Sequence, residues 1–155
     1  MFYSDDISLP AGNSTLQVRT NTVDDLIDEA DETFTLGATL TSLGVPYSDS
    51  ATATIIDNDT PTVLVGAPGT GVGDITVPEG ERAVFGVQVN GAAAGSTLVL
   101  TLADGSAISP DDYQRLGFEF SLDNGATWNV YTGAISLPAG NSTLQVRTNT
   151  VGDLI

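Results

Sequence analysis

Thr33-Phe34-Thr35-Leu36-Gly37-Ala38-Thr39-Leu40 places an apolar residue at every second position. Successive side chains of an extended chain point to opposite faces, so this period of two predicts a half-buried β-strand. The same alternation recurs at Ala51, Ala53 and Ile55, at Ala83, Phe85, Val87 and Val89, and at Leu98, Leu100 and Leu102. It returns at Phe118, Phe120 and Leu122, and in the pairs Leu16 with Val18 and Leu144 with Val146. Asp123-Asn124-Gly125 supplies the positive φ angles of a tight hairpin turn. A turn near Pro110 to Tyr113 is the nearest approach to a helix.

Short strands at regular spacing, separated by Gly, Pro, Asn and Asp, predict an all-β chain forming an antiparallel immunoglobulin-like sandwich, with about seven strands per full module. An internal repeat then sets the organisation. Ile7 to Ile27 reads ISLPAGNSTLQVRTNTVDDLI and Ile135 to Ile155 reads ISLPAGNSTLQVRTNTVGDLI, a period of 128 residues broken only where Asp24 becomes Gly152. Tyr3 and Tyr131 also correspond. The chain of 155 residues therefore carries little more than one period of a tandem repeat, cut out of register. Residues 1–60 are expected to be the back part of one module and residues 61–155 the front part of the next, with the seam near Asp57-Asn58-Asp59-Thr60-Pro61.

Composition excludes much chemistry. There are 20 Asp and Glu against four Arg, no His and no Cys, giving a formal charge of −16; Lys is missing as well. No Ser-His-Asp or Cys-His triad and no Lys Schiff base can be built. Without sulfur or imidazole, any metal must be a hard cation held by oxygen. The four arginines, Arg19, Arg82, Arg115 and Arg147, are scattered, which disfavours nucleic acid and anionic membranes as partners. No apolar run is long enough for a membrane span, so no membrane insertion is expected, and the first residues lack a secretory signal pattern. With 41% hydrophobic residues, the chain is still not an acidic disordered tail.

The acids are clustered. Asp24, Asp25, Asp28, Glu29, Asp31 and Glu32 put six carboxylates into nine residues. Two like charges about 4 Å apart repel by about 4 kcal/mol at the effective dielectric of a protein surface, so converging carboxylates need a counter-ion. Calcium takes six to eight oxygens in irregular geometry, whereas magnesium requires a stricter octahedron. A solvated charge run is the competing reading. Further acids stand in Val77-Pro78-Glu79-Gly80-Glu81, Ser109-Pro110-Asp111-Asp112-Tyr113 and Ile55-Ile56-Asp57-Asn58-Asp59.

The run DETFTL followed by ATATIIDND resembles the Calx-beta motif. VPEGE, SPDDY and LDNGATW are similar to its variants in the repeats of giant bacterial RTX adhesins. The resemblance covers most of the chain when residues 61–155 are read before residues 28–60. It implies a Calx-beta-like sandwich with calcium at the module junctions, the ligands being Glu79, Asp112, Asp25 with its counterpart Asp153, Glu29, Asp57 and Asp59. The implied role is structural: a calcium-stiffened extender in a secreted, extracellular adhesin of the bacterial surface, of the type I secreted biofilm kind. Its partners would be neighbouring modules of the same protein.

Two alternatives compete with the stalk. A calcium-dependent carbohydrate-binding module would need an exposed aromatic platform, yet most aromatics here occupy core-like positions, and Trp128 and Tyr113 read as packing residues. An acid-pair glycosidase would need two carboxylates facing a cleft. No enzymatic activity is expected. Gly66 to Gly73, GAPGTGVG, lacks the Lys and the helix of a phosphate loop and reads as a flexible connection. Because each part-module lacks strands, head-to-tail completion between chains is expected, with the twin segments competing for one strand position.

Overall fold

The computed structural model describes residues 6–153. Tyr3 and Ile155, named above in the repeat, lie outside the described residues. Among those described the structure is all β, with nine strands and no helix. They are β1 (Glu32–Ser42), β2 (Val45–Ile55), β3 (Thr62–Gly66), β4 (Arg82–Ala92), β5 (Thr97–Leu98), β6 (Glu119–Ser121), β7 (Asn129–Val130), β8 (Ile135–Ser136) and β9 (Gly140–Asn149). Every pairing is antiparallel. A five-stranded sheet has the order β3-β4-β9-β6-β7, and β5-β8 and β1-β2 form separate pairs.

The core lies between the five-stranded sheet and the β5-β8 pair. Alternation puts Val87 and Val89 of β4 on one face, and pairing sets Val87 opposite Leu144, which are both 1% exposed. Phe85, Val146 and Phe120 form a neighbouring cross-strand row. Leu98 of β5 pairs with Ile135 of β8, and both join the same buried cluster with Phe118 and Leu137. Two layers sharing one apolar interior are consistent with a β-sandwich. Tyr131 stacks on Phe118 with ring centroids 4.8 Å apart, and its hydroxyl accepts the Leu100 N–H at 3.0 Å.

The Asp123-Asn124-Gly125 turn forms as its sequence predicts, with φ of 58° at Asn124 and 87° at Gly125. Asp123 accepts from the Thr127 hydroxyl at 2.6 Å, the Thr127 N–H at 2.8 Å and the Ser121 hydroxyl at 2.7 Å. These bonds, the Thr127 hydroxyl foremost, hold its carboxyl down to about 2. Trp128 is a hairpin-packing residue: its indole N–H donates to the Gly125 carbonyl at 3.0 Å, and Arg147 lies 4.0 Å from its ring centre. The glycine-rich stretch is not the flexible connection its sequence suggests. It is a turn closed by Ala67 N–H to Val72 O at 3.1 Å and Gly71 N–H to Ala67 O at 2.9 Å.

The two repeat copies adopt different structures. In the second, Ile135, Leu137, Leu144 and Val146 are buried. Their counterparts Ile7, Leu9, Leu16 and Val18 are exposed and form no strand. β1 and β2 form a hairpin that is exposed along both strands and packs on no other strand, so the half-buried face predicted for Phe34 to Leu40 is uncovered. The difference is one of partners: β4 and β6 flank the second copy, and among the described residues no strand pairs with the first.

Leu144→Ala is expected to cost about 2 to 5 kcal/mol, because it opens a cavity in the closed interior. The identical change at its twin, Leu16→Ala, should stay within about 0.5 kcal/mol. Denaturant unfolding followed by Trp128 fluorescence measures both, and equal costs would contradict the assignment of β9. Asp123 adds a pH signature with a definite sign. A carboxyl depressed in the fold stabilises it above the ordinary value of 3.8, and that contribution is lost as pH falls through this range towards about 2. Asp123→Asn should remove this part of the acid transition in the same assay.

Candidate metal-binding junction

The chain's register places the acids at opposite ends of the sheet. At one end, β4 is interrupted by a register shift between Val89 and Ala92, where Gly91 adopts φ of 67°. The Gly91 carbonyl accepts the Asp28 N–H at 3.0 Å, and its N–H donates to Asn141 Oδ1 at 3.0 Å. A side chain at Gly91 would come within 2.9 Å of the Leu26 carbonyl, so glycine is needed for the incoming chain to approach. Here the segment bearing Asp25 and Glu29 meets the one bearing Asp57 and Asp59, just before Pro61 leads into β3.

Carboxylates and backbone amides tie these segments together. Asp57 Oδ2 accepts the Glu29 N–H at 3.1 Å, and Asp31 Oδ1 accepts the Asp57 N–H at 3.0 Å. Asp57 Oδ1 accepts the Asp59 N–H at 3.4 Å, and Asp25 Oδ1 accepts the Ile27 N–H at 2.9 Å. Amide donors disperse charge without cancelling it. Loss of hydration, then the nearby charges of Asp57, Asp24, Asp25 and Asp28, push the Asp59 carboxyl above its ordinary value of 3.8. Two ion pairs among the described residues, Arg115–Asp104 at 3.0 Å and Arg147–Glu119 at 2.6 Å, lie elsewhere.

Glu79, Asp112 and Asp153 are placed at the other end, around the chain leaving β9. The Thr150 N–H donates to Glu81 O at 2.9 Å and the Val151 N–H to Asp112 O at 2.8 Å. Gly152 packs against Gly80, where an added Cβ would lie 3.4 Å from the Gly80 α-carbon. The one residue that differs between the copies is thus a contact point in the second. Asp112 also closes its own loop, with Oδ2 accepting the Ile108 N–H at 2.7 Å. Asp112 thus caps its own turn.

The seven acids do not form one cluster. Asp25, Glu29, Asp57 and Asp59 gather at the Gly91 end, while Glu79, Asp112 and Asp153 stand at the Glu81 end. Among the described residues, no group of three or more carboxylates is close enough to hold a metal ion. Sequence reasoning also missed Asp104, which accepts from Tyr113 Oη at 2.7 Å, from the Ser109 N–H at 3.1 Å and from Arg115 at 3.0 Å. The Tyr113 bond leads in holding Asp104 below its ordinary value, and in turn raises Tyr113. An Asp nine residues from a Tyr gives no local signal, because the intervening loop makes the contact. Searches against family models, curated proteins and solved structures return no match to this chain.

Asp59 should titrate above 3.8 in a carbon-detected NMR pH series, and Asp57→Asn should move it back towards that value. A carboxyl raised in the fold opposes folding at neutral pH and ceases to do so as pH falls through its folded value. Protection of the Asp28 amide from exchange should accordingly increase on acidification. A midpoint at or below 3.8 would show that the junction carboxylates do not converge.

Proposed function

We propose that the chain is a spacer unit of a repetitive secreted surface protein, a Calx-beta-like, immunoglobulin-like module stiffened by calcium at the joints between modules. The observation that carries this reading is the Gly91 junction. There the acidic run and Asp57 to Asp59 meet at the root of the next sheet with no cation paired to them among the described residues. A repeated connection at which like charges converge bends when they repel and straightens when a divalent ion bridges them. Outside a cell, sites with dissociation constants of about 0.1 to 1 mM fill, whereas cytoplasmic levels leave them empty. Secretion would then precede stiffening.

The aromatic side chains favour this reading over carbohydrate capture. Phe118, Phe120 and Tyr131 pack on one another and Arg147 covers one face of Trp128, so these four are engaged within the sheet, while the exposed Phe34 and Tyr47 stand on the hairpin beyond the acidic junction.

Thermal melting in millimolar calcium, in magnesium and in chelator tests the proposal. An ion at about a hundred times its dissociation constant adds about 2.7 kcal/mol per site, so calcium should raise the midpoint clearly above chelator and magnesium should do so less. Glu29→Gln combined with Asp57→Asn should abolish the calcium increment. Identical melts in calcium and chelator would overturn the assignment.

A further inference from the structure

We propose that the β1-β2 hairpin of one chain docks on the open face of residues 61–153 of a second copy, completing its second layer and linking chains head to tail. The inference goes beyond the calcium reading and does not depend on it. It rests on two uncovered surfaces of matching character and on the direction in which the repeat joins them.

The donor surface is one face of the hairpin. Register sets Phe34 opposite Ala53, Leu36 opposite Ala51, Ala38 opposite Asp49 and Leu40 opposite Tyr47, which gathers apolar side chains on one side with the carboxylate of Asp49 among them. Thr35 opposite Thr52 and Thr39 opposite Ser48 occupy the other side, hydroxyl to hydroxyl at 3.3 and 2.9 Å. Phe34, Leu36, Leu40 and Tyr47 are all exposed. A two-stranded ribbon with one bare apolar face is marginal in water by itself.

The acceptor surface lies on β3 and beside β5. Val63 and Val65 stand opposite Val89 and Val87, on the face where β4 is buried, yet they are 55% and 61% exposed. The layer that covers β4 and β9 therefore stops short of β3. That layer is also short of strands: β5 pairs for two residues, while Val99–Leu102 continues its alternating burial with no strand beside it among the described residues.

Direction selects a second copy as the occupant. Ile27 and Ile155 are equivalent positions, and Ile27 leads through Asp28 into the hairpin. A hairpin arriving along the path of the second copy enters at the Glu81 end, where Thr150 and Val151 are anchored, with its Leu43-Gly44 turn towards Gly91. The chain's own hairpin is rooted at the Gly91 end instead, roughly 33 Å away along β4. Folded back on its own sheet, it would lie with its strands reversed. Residues 7–27 of the donor stay outside, because β9 already fills their position. The contact is heterologous and does not close, so it propagates as a linear series. It also brings the acids of the donor's junction to Glu79, Asp112 and Asp153 of the acceptor.

Light scattering coupled to size exclusion, on the full chain from about 1 µM to about 1 mM, tests this. Chelator and about 1 M NaCl are present, so that charge repulsion is screened to about 3 Å and calcium plays no part. The mean mass should rise about twofold or more with concentration. Leu36→Asp with Leu40→Asp should abolish the rise while leaving the Trp128 near-ultraviolet signal intact. Val65→Asp should do the same from the other side, and mixing the two variants should restore a 1:1 complex and nothing larger. A single mass at all concentrations overturns the proposal. So does continued association of Val65→Asp, which would mean hairpin against hairpin, and so does failure of the two folded variants to pair. Melting shifts in calcium are read separately, so loss of either proposal leaves the other standing.

Discussion

The pairing of β4 with β9 is the constraint on which the rest of the structure depends. Its long ladder aligns Val87 with Leu144 and Phe85 with Val146, and those rows create the surface on which Leu98, Phe118, Ile135 and Leu137 are buried. β3 and β6 attach to its flanks. The same ladder fixes where the two ends of the sheet lie, and hence which acids can approach one another. Burial of apolar rows, about 25 cal/mol per Å², is the dominant favourable term in a chain that has no disulfide available.

Charge then works against compactness at both ends. With four cations for twenty acids, the fold spends Arg115 and Arg147 inside the module on Asp104 and Glu119. The acids near Gly91 are left with amide donors, which orient carboxylates but leave their charge intact; loss of hydration first, and then these neighbouring charges, raise Asp59. Both of these ion pairs lie within residues 61–153, away from the acids near Gly91.

Much of the fold was legible in the sequence because its signals are local. Alternation at Ala83 to Val89 gave a strand, Asp123-Asn124-Gly125 gave a turn, and Trp128 beside it gave a packing residue; all three stand in the structure as read. The absence of His, Lys and Cys likewise restricted the chemistry before any geometry was known. The candidate site was legible only as a set of residues. Its division between two ends follows from which copy of the repeat enters the sheet, and the roles of Asp104 and Asp112 in closing loops follow from contacts across a loop.

What the sequence by itself determined is the all-β character, the 128-residue period and the acid excess, since alternation, identity and composition need no partner to be read. What only the tertiary structure decided is which of two nearly identical segments becomes a strand. Leu16 and Leu144 share the same local sequence, yet Leu144 is buried because β4 and β6 stand beside it and Leu16 is not. A strand is specified by its neighbours' hydrogen bonds and side chains as much as by its own pattern, and neighbours are supplied by the fold.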